Sequence, residues 1–227
     1  MRRFKRIISY LLVSVSFLAI GYGLLFFAAR PIIQFVGGAV QLFLLEDTPV
    51  FAAETRNLLD GATIHEEEII YASDIELPVY GEQFAQVKSD VGIDQPVFFG
   101  DNDEILLRGA GHSIISSFPG FYGTVLIGAH VFPEFHRLNV LELGDTFTIT
   151  THYGEFVYRV LEKKVIYRSD PFITETLRQD EQRLAFLYTC WPFDQFGFPL
   201  ERLVVIGEQI SGPAVFWNEE DRNNHAN

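Results

Sequence analysis

The sequence predicts a mainly β-sheet domain held at a membrane by an N-terminal anchor. Three observations support this prediction: a long uncharged apolar run near the N-terminus, short alternating apolar runs separated by turn residues after about residue 84, and little helical periodicity in that second half. The chain has 227 residues. That length suits one well-packed domain with an anchor and is too short for two large domains.

The apolar run covers residues 7–29, which contain no formally charged side chain. A run of this length can cross a hydrocarbon core of about 30 Å as a helix. Basic side chains in residues 1–6 precede it, which predicts a cytoplasmic tail there and an extracytoplasmic body. A cleaved signal peptide is the alternative, but its apolar core usually spans only about 7–15 residues. We therefore expect an uncleaved anchor at the cell membrane, followed by a stalk over residues 30–83.

The charge of the chain is unevenly distributed. The formal net charge is −13, and the first 30 residues contribute +5, which leaves −18 for the rest. Nucleic-acid binding needs clustered Lys and Arg, so this acidic body argues against a nucleic-acid partner. The acidity is typical of a soluble, exposed domain.

Alternating apolar runs predict the strands of the body. Asp145–Thr151 and Phe156–Val160 read as one hairpin around a turn at Gly154. Further strands are predicted at Gly123–Gly128, Leu184–Thr189 and Leu203–Ile206. Many short strands with glycine-containing turns favour an all-β sandwich or barrel.

Cys190 is the only cysteine, so the chain has no intramolecular disulfide. A lone cysteine is most often a small buried side chain. On the oxidising side of a membrane, however, an unpaired cysteine indicates a reactive thiol. Cys190 directly follows a predicted strand, a position that would present it at a rim of the sheet.

Two further residues are expected near this rim. Arg202 begins the next predicted strand, so antiparallel pairing of the two strands would bring it beside Cys190. A guanidinium there stabilises a thiolate and can donate hydrogen bonds to an oxygen that becomes negative. His130 also follows a predicted strand, Gly123–Gly128, and its imidazole can protonate a leaving amine.

Three short sequence motifs resemble those of a known family. Residues 187–193 read Leu-Tyr-Thr-Cys-Trp-Pro-Phe, residues 125–130 read Val-Leu-Ile-Gly-Ala-His, and residues 109–112 read Gly-Ala-Gly-His. In their order along the chain, and with the twelve-residue step from Cys190 to Arg202, these segments resemble the sortases, most of all class D. The chain departs from the family pattern in three places: Phe186 stands where Thr is usual, Ala129 rather than Gly precedes His130, and Val131 follows it.

The resemblance implies a closed β-barrel of about eight strands with short helices over residues 84–212, followed by a tail over 213–227. It implies a cysteine transpeptidase that cleaves an LPxTG-like C-terminal sorting signal of surface proteins through a thioester and transfers the acyl group to an amine, either a cell-wall precursor or a pilin Lys. No cofactor or metal is expected. A membrane-tethered cysteine hydrolase and a non-catalytic β-barrel binding domain are the alternatives.

The resemblance also implies a set of site residues. Cys190 would be the nucleophile, His130 the proton donor and Arg202 the oxyanion or substrate stabiliser. Thr189 would assist at the oxyanion or the substrate, and the candidate groove residues are Trp191, Phe193, Pro171 and Leu177. Three other histidines compete with His130: His136 in the following loop, His112 in the Gly-x-Gly-His turn and His152 in a hairpin turn, where we expect an exposed side chain.

Overall fold

A computed structural model of the chain describes residues 10, 12–25, 56–60, 68–131, 135–193 and 199–225. Residue 10 and residues 12–25 are helical, and large apolar side chains of this segment are exposed. Among the residues described, no helix is both long and apolar enough to cross a membrane. The predicted anchor, residues 7–29, lies partly outside the described residues and stays a prediction.

The described residues from 68 onward form ten strands. Their bounds are β1 Ile69–Tyr71, β2 Gln83–Ser89, β3 Asp94–Phe99, β4 Ala110–His112, β5 Gly123–Gly128, β6 Thr146–Thr151, β7 Glu155–Tyr167, β8 Arg183–Trp191, β9 Glu201–Ser211 and β10 Ala214–Phe216. Eight of them close a barrel in the order β2-β3-β4-β5-β8-β9-β7-β6. The predicted mainly β fold with an eight-stranded closed barrel is therefore confirmed.

Among the described residues from 68 onward, the helices are short. They are α1 Asp103–Leu106, α2 Pro171–Arg178 and α3 Glu219–His225, with 3₁₀ turns at Ala72–Asp74 and Leu138–Val140. β1 pairs in parallel with β10 outside the barrel. This pairing joins a segment of the predicted stalk to a segment of the predicted C-terminal tail.

The predicted hairpin is confirmed, because β6 pairs with β7 in antiparallel register with Ile149 opposite Phe156. Both side chains are fully buried in the barrel interior. The alternation of apolar and Thr residues in β6 follows from this arrangement, since successive side chains of a strand point to opposite faces.

β8 separates two apolar clusters. Ala185 and Leu187 belong to the main cluster that fills the barrel, whereas Leu184 and Phe186 belong to a second cluster on the outer face. Both faces of β8 are therefore covered, which explains why its sequence is almost continuously apolar rather than alternating.

Helix α2 covers the second cluster. The Asp170 side chain accepts a hydrogen bond from the backbone N–H of Phe172, at 2.9 Å, and Pro171 begins the helix. The hydroxyl of Thr124 on β5 donates to the carbonyl of Thr176, at 2.6 Å. These bonds hold α2 over the outer face of β5 and β8, beside the predicted site.

Candidate active site

Cys190 and Arg202 lie directly opposite each other on β8 and β9, as the sequence predicted. Their antiparallel register pairs Cys190 with Arg202 and Tyr188 with Val204. Directly opposed residues of an antiparallel pair have Cα atoms about 4.5–5.5 Å apart and side chains on the same face. Cys190 is half-buried and is a free thiol. The thiol and the guanidinium therefore project from neighbouring positions on the outer face of the barrel.

The guanidinium of Arg202 is held by the loop that precedes it. Its Nη1 donates hydrogen bonds to the backbone carbonyls of Pro199 and Glu201, both at 2.8 Å. These two bonds restrict the rotamers of a long side chain that would otherwise lose entropy on meeting a substrate. One nitrogen of the guanidinium thus anchors the group within the protein.

His130 lies at the same edge of the barrel. β5 and β8 are parallel, with Gly128 paired to Tyr188, so their C-terminal ends meet at one rim. Beyond β5, the Ala129 N–H donates to the Tyr188 carbonyl at 3.2 Å. His130 follows at once and is exposed. The structure thus brings the three predicted catalytic residues to one rim, with β8 between the strands that carry His130 and Arg202.

Thr189 occupies the opposite face of β8 from Cys190. Its side chain is almost fully buried, and its hydroxyl donates to the Ala129 carbonyl at 2.8 Å. That hydroxyl proton is therefore engaged within the protein. Its partner is the residue directly before His130, a connection that the sequence did not reveal.

Tyr188 packs over a glycine on the neighbouring strand. A Cβ atom on Gly128 would overlap Cζ of Tyr188 and would lie 2.6 Å from its hydroxyl oxygen. Burial raises the pKa of the Tyr188 phenol above its ordinary value, the negative charge of Asp101 adds to this rise, and Arg202 opposes it. The phenol therefore stays neutral and can donate a hydrogen bond near the rim.

A cavity of about 270 Å³ opens on the outer face next to this rim. Apolar and aromatic side chains and two guanidinium groups line it: Leu126, Ile173, Phe186, Tyr188, Val204, Arg168 and Arg202. A concave, mostly apolar site with a few polar groups is the usual form of a ligand pocket.

The four predicted groove residues lie outside this cavity. Trp191 and Phe193 contact each other edge-on, with ring centroids 4.9 Å apart, and pack against the main core. Leu177 packs against the second cluster and Pro171 is exposed at the start of α2. None of these four lines the cavity. Their roles in substrate binding remain predictions.

Two of the competing histidines are more buried than the exposed His130. His112 lies on β4 and is fully buried, stacked on Phe118 with ring centroids 4.9 Å apart. His152 was expected to be exposed, which is wrong: it is half-buried and packs edge-on against Tyr153. The turn folds back on the barrel, so a position in a hairpin turn did not ensure exposure.

Residues 89–210 match the family model described as Sortase domain, which covers more than half of the chain. The chain belongs to the sortase family. This confirms the family assignment that was made from the sequence motifs around Cys190 and His130.

Named relatives agree with this assignment. The chain is 29% identical over 121 residues to sortase D of Bacillus subtilis (strain 168), a match that covers 53% of this chain and 60% of that relative. The class D resemblance is thereby supported. The match spans less than two thirds of the relative's length.

Two solved sortase structures are similar in fold. Sortase C-1 from Streptococcus pneumoniae has a TM-score of 0.52 at 29% identity, over 57% of this chain and 67% of that one. Clostridium perfringens sortase C, solved with the C-terminal cell wall sorting motif, has a TM-score of 0.52 at 25% identity, over 59% and 73% of the two chains.

Proposed function

We propose that this chain is a membrane-anchored cysteine transpeptidase. It would cleave an LPxTG-like C-terminal sorting signal and transfer the acyl group to an amine. The main support for this proposal is the strand register that places Cys190 on β8 opposite Arg202 on β9. The other neighbour of β8 is β5, which leads to His130. Membership of the sortase family supports the same chemistry, since its members are cysteine transpeptidases.

In the first half of the reaction, the Cys190 sulfur attacks the carbonyl carbon of the Thr in the signal. A C–S bond forms and the carbonyl oxygen becomes negatively charged. Arg202 donates hydrogen bonds to that oxygen or orients the peptide. His130 gives a proton to the departing nitrogen, the C–N bond breaks, and a thioester remains on Cys190.

In the second half, an amine attacks the thioester carbon. A new C–N bond forms, the C–S bond breaks, and the electron pair returns to the Cys190 sulfur. His130 accepts the proton that the amine releases, which restores the starting state. The acceptor would be a peptidoglycan precursor or a Lys side chain of a pilin subunit.

Substrate class and location rest on separate observations. A structural relative was solved with a C-terminal cell wall sorting motif, which supports a peptide of that kind as the substrate here. The basic residues before an uncharged apolar run support a cytoplasmic N-terminus with the barrel outside the membrane.

The test uses the full-length chain in mild detergent, a quenched Leu-Pro-x-Thr-Gly peptide library and an added amine, with products read by mass spectrometry. We expect amide products that carry the added amine, and none from the Cys190→Ala variant. Cleavage to free acids alone would indicate a hydrolase. No acyl-enzyme and no product from a folded chain would contradict an enzymatic function.

A further inference from the structure

We infer that Arg168 is a specificity-determining residue that recognises an acidic side chain in the acyl part of the substrate peptide. The inference rests on the proposed function, because it takes a peptide joined to Cys190 as the occupant of the cavity. It concerns the cavity of about 270 Å³ that Arg168 and Arg202 line together.

Arg168 is placed at the rim by the backbone. Ile166 on β7 pairs with Arg202 on β9, and the Arg168 N–H donates to the Leu200 carbonyl at 2.7 Å. Side chains two residues apart on an extended chain share a face. Arg168 therefore lies on the same outer face as Arg202, one step nearer the end of the sheet.

The charge of the cavity is unbalanced. The described residues of its lining include two guanidinium groups and no carboxylate. Among the described residues, the recorded ion pairs include neither Arg168 nor Arg202. The nearby Asp170 carboxylate accepts the N–H of Phe172 at the start of α2. The chain has an excess of acidic residues, yet no described carboxylate lines this cavity with the two arginines. The pair can therefore bind an anion supplied by a ligand.

The residues that line the cavity suit a ligand group with a carboxylate on a short aliphatic chain. Leu126, Phe186 and Val204 form apolar surface, and Ile173 of α2 adds to it. Arginine binds carboxylates through two parallel hydrogen bonds, which gives direction as well as charge. An Asp or Glu side chain meets both requirements, whereas a neutral amide forms weaker hydrogen bonds to a guanidinium.

The order of the strands indicates which part of the peptide reaches this cavity. The rim runs from β5 with His130, through β8 with Cys190, to β9 and β7 with Arg202 and Arg168. In the proposed reaction the departing amine lies on the His130 side. The acyl fragment then extends the other way, toward Arg168. We assign the acidic side chain to position x, directly before the Thr of the signal.

The test compares two peptides, Leu-Pro-Asp-Thr-Gly and Leu-Pro-Asn-Thr-Gly, which are isosteric and differ in one charge. We expect the full-length chain to favour the Asp peptide in kcat/KM by about tenfold, typical of a charge-assisted pair. Arg168→Gln should reduce this ratio to near one. Arg159→Gln is the matched control, because Arg159 is exposed on β7, the strand that leads to Arg168, and does not line the cavity.

Binding to the Cys190→Ala chain, followed by fluorescence anisotropy, separates this inference from the proposed function. A tighter Asp peptide, with a preference that Arg168→Gln removes, supports the inference even if neither peptide is turned over by the native chain. Equal binding and turnover of the two peptides overturn it while leaving the transpeptidase proposal intact. An Asp preference that survives Arg168→Gln also overturns it.

Discussion

Thr189 donates a hydrogen bond of 2.8 Å to the backbone carbonyl of Ala129, the residue directly before His130. The bond crosses from β8 to the chain that leaves β5, and both partners are buried. A second bond, of 3.2 Å from the Ala129 N–H to the Tyr188 carbonyl, holds the same residue. Tyr188 and Thr189, the two residues before Cys190, thus each hold Ala129 by a hydrogen bond and thereby position His130, the next residue.

Thr189→Val should therefore lower both stability and activity. The change keeps the shape of the side chain but leaves the buried Ala129 carbonyl without its donor, at a cost of about 1–3 kcal/mol in the free energy of unfolding. We expect kcat to fall about tenfold or more, because small displacements of a catalytic group are costly. Denaturant unfolding and steady-state kinetics measure the two effects.

Thr189→Ser is the matched control, because it retains the hydroxyl. It should keep most of the native kcat, with a modest loss of stability from the missing methyl group. If the Val and Ser variants had equal activity, the hydrogen bond to Ala129 would have no part in positioning His130.

Gly128→Ala should disturb the rim through Tyr188. The added Cβ would lie closer than 3 Å to three ring or hydroxyl atoms of Tyr188, so the ring must move. Overpacking of this kind costs about 1–3 kcal/mol. The free energy of unfolding should fall accordingly, and the Gly128→Ala/Tyr188→Leu double variant should recover part of that loss. If the losses in the free energy of unfolding from Gly128→Ala and Tyr188→Leu simply added in the double variant, the proposed clash with the Tyr188 ring would be wrong.

Arg202→Lys should be nearly as damaging as Arg202→Gln. A lysine keeps the charge but cannot both hold the carbonyls of Pro199 and Glu201 and present a planar fork to the substrate. Loss of an oxyanion donor lowers kcat by roughly 10²–10³-fold. Steady-state transfer to an added amine measures this, with Arg159→Gln as the control for a lost surface charge. Near-native activity of Arg202→Lys would show that only the positive charge of Arg202 matters and that its planar hydrogen-bonding group does not.

His112 should make the fold sensitive to acid. Burial lowers its pKa from 6.5 to about 4, although a hydrogen bond to the Ser117 carbonyl opposes this. Unfolded His112 takes up a proton near pH 6.5, whereas the folded protein resists protonation. The free energy of unfolding should therefore fall as the pH drops from about 6.5 toward 4, by up to about 3 kcal/mol.

The contribution of His112 is isolated by comparison with His112→Gln, which cannot titrate. Denaturant unfolding between pH 4.5 and 7 should show a steeper loss of stability in the native chain than in the variant. On the native chain alone, the His112 ring signals in NMR should not shift between pH 7 and 5.5. Parallel pH profiles for the two chains, or a titration near 6.5, would contradict a buried neutral imidazole.

Much of this arrangement follows from local sequence. Alternating runs predicted β6 and β7, and the position of Cys190 after one apolar run and of Arg202 before the next predicted their antiparallel meeting. These features depend on period and spacing, which a sequence displays directly. The bounds were less certain: β8 continues through Cys190 to Trp191, because the ladder to β9 persists to Glu201.

Other features depend on contacts between distant segments. Nothing local to Arg168 distinguishes it from a solvated loop residue, and it reaches the cavity only because β7 pairs with β9. Likewise the Thr189 hydroxyl meets Ala129 only after β5 and β8 align in parallel. Gly128 at the end of a predicted strand was a usable signal, since a glycine in a buried strand often marks a close approach by another group. Here that group is the Tyr188 ring.

In the proposed reaction, Cys190 carries a thioester that His130 helps to form and to resolve. Intact-mass spectrometry can detect this thioester on the full-length chain, mixed with a peptide that it cleaves and quenched in acid without added amine. We predict a mass increase equal to the acyl fragment, located on Cys190 and released by hydroxylamine, and a much slower appearance of this adduct in His130→Ala. Cleavage of the peptide with no adduct on Cys190, or an adduct that forms equally fast in His130→Ala, would overturn the proposed roles of the two residues.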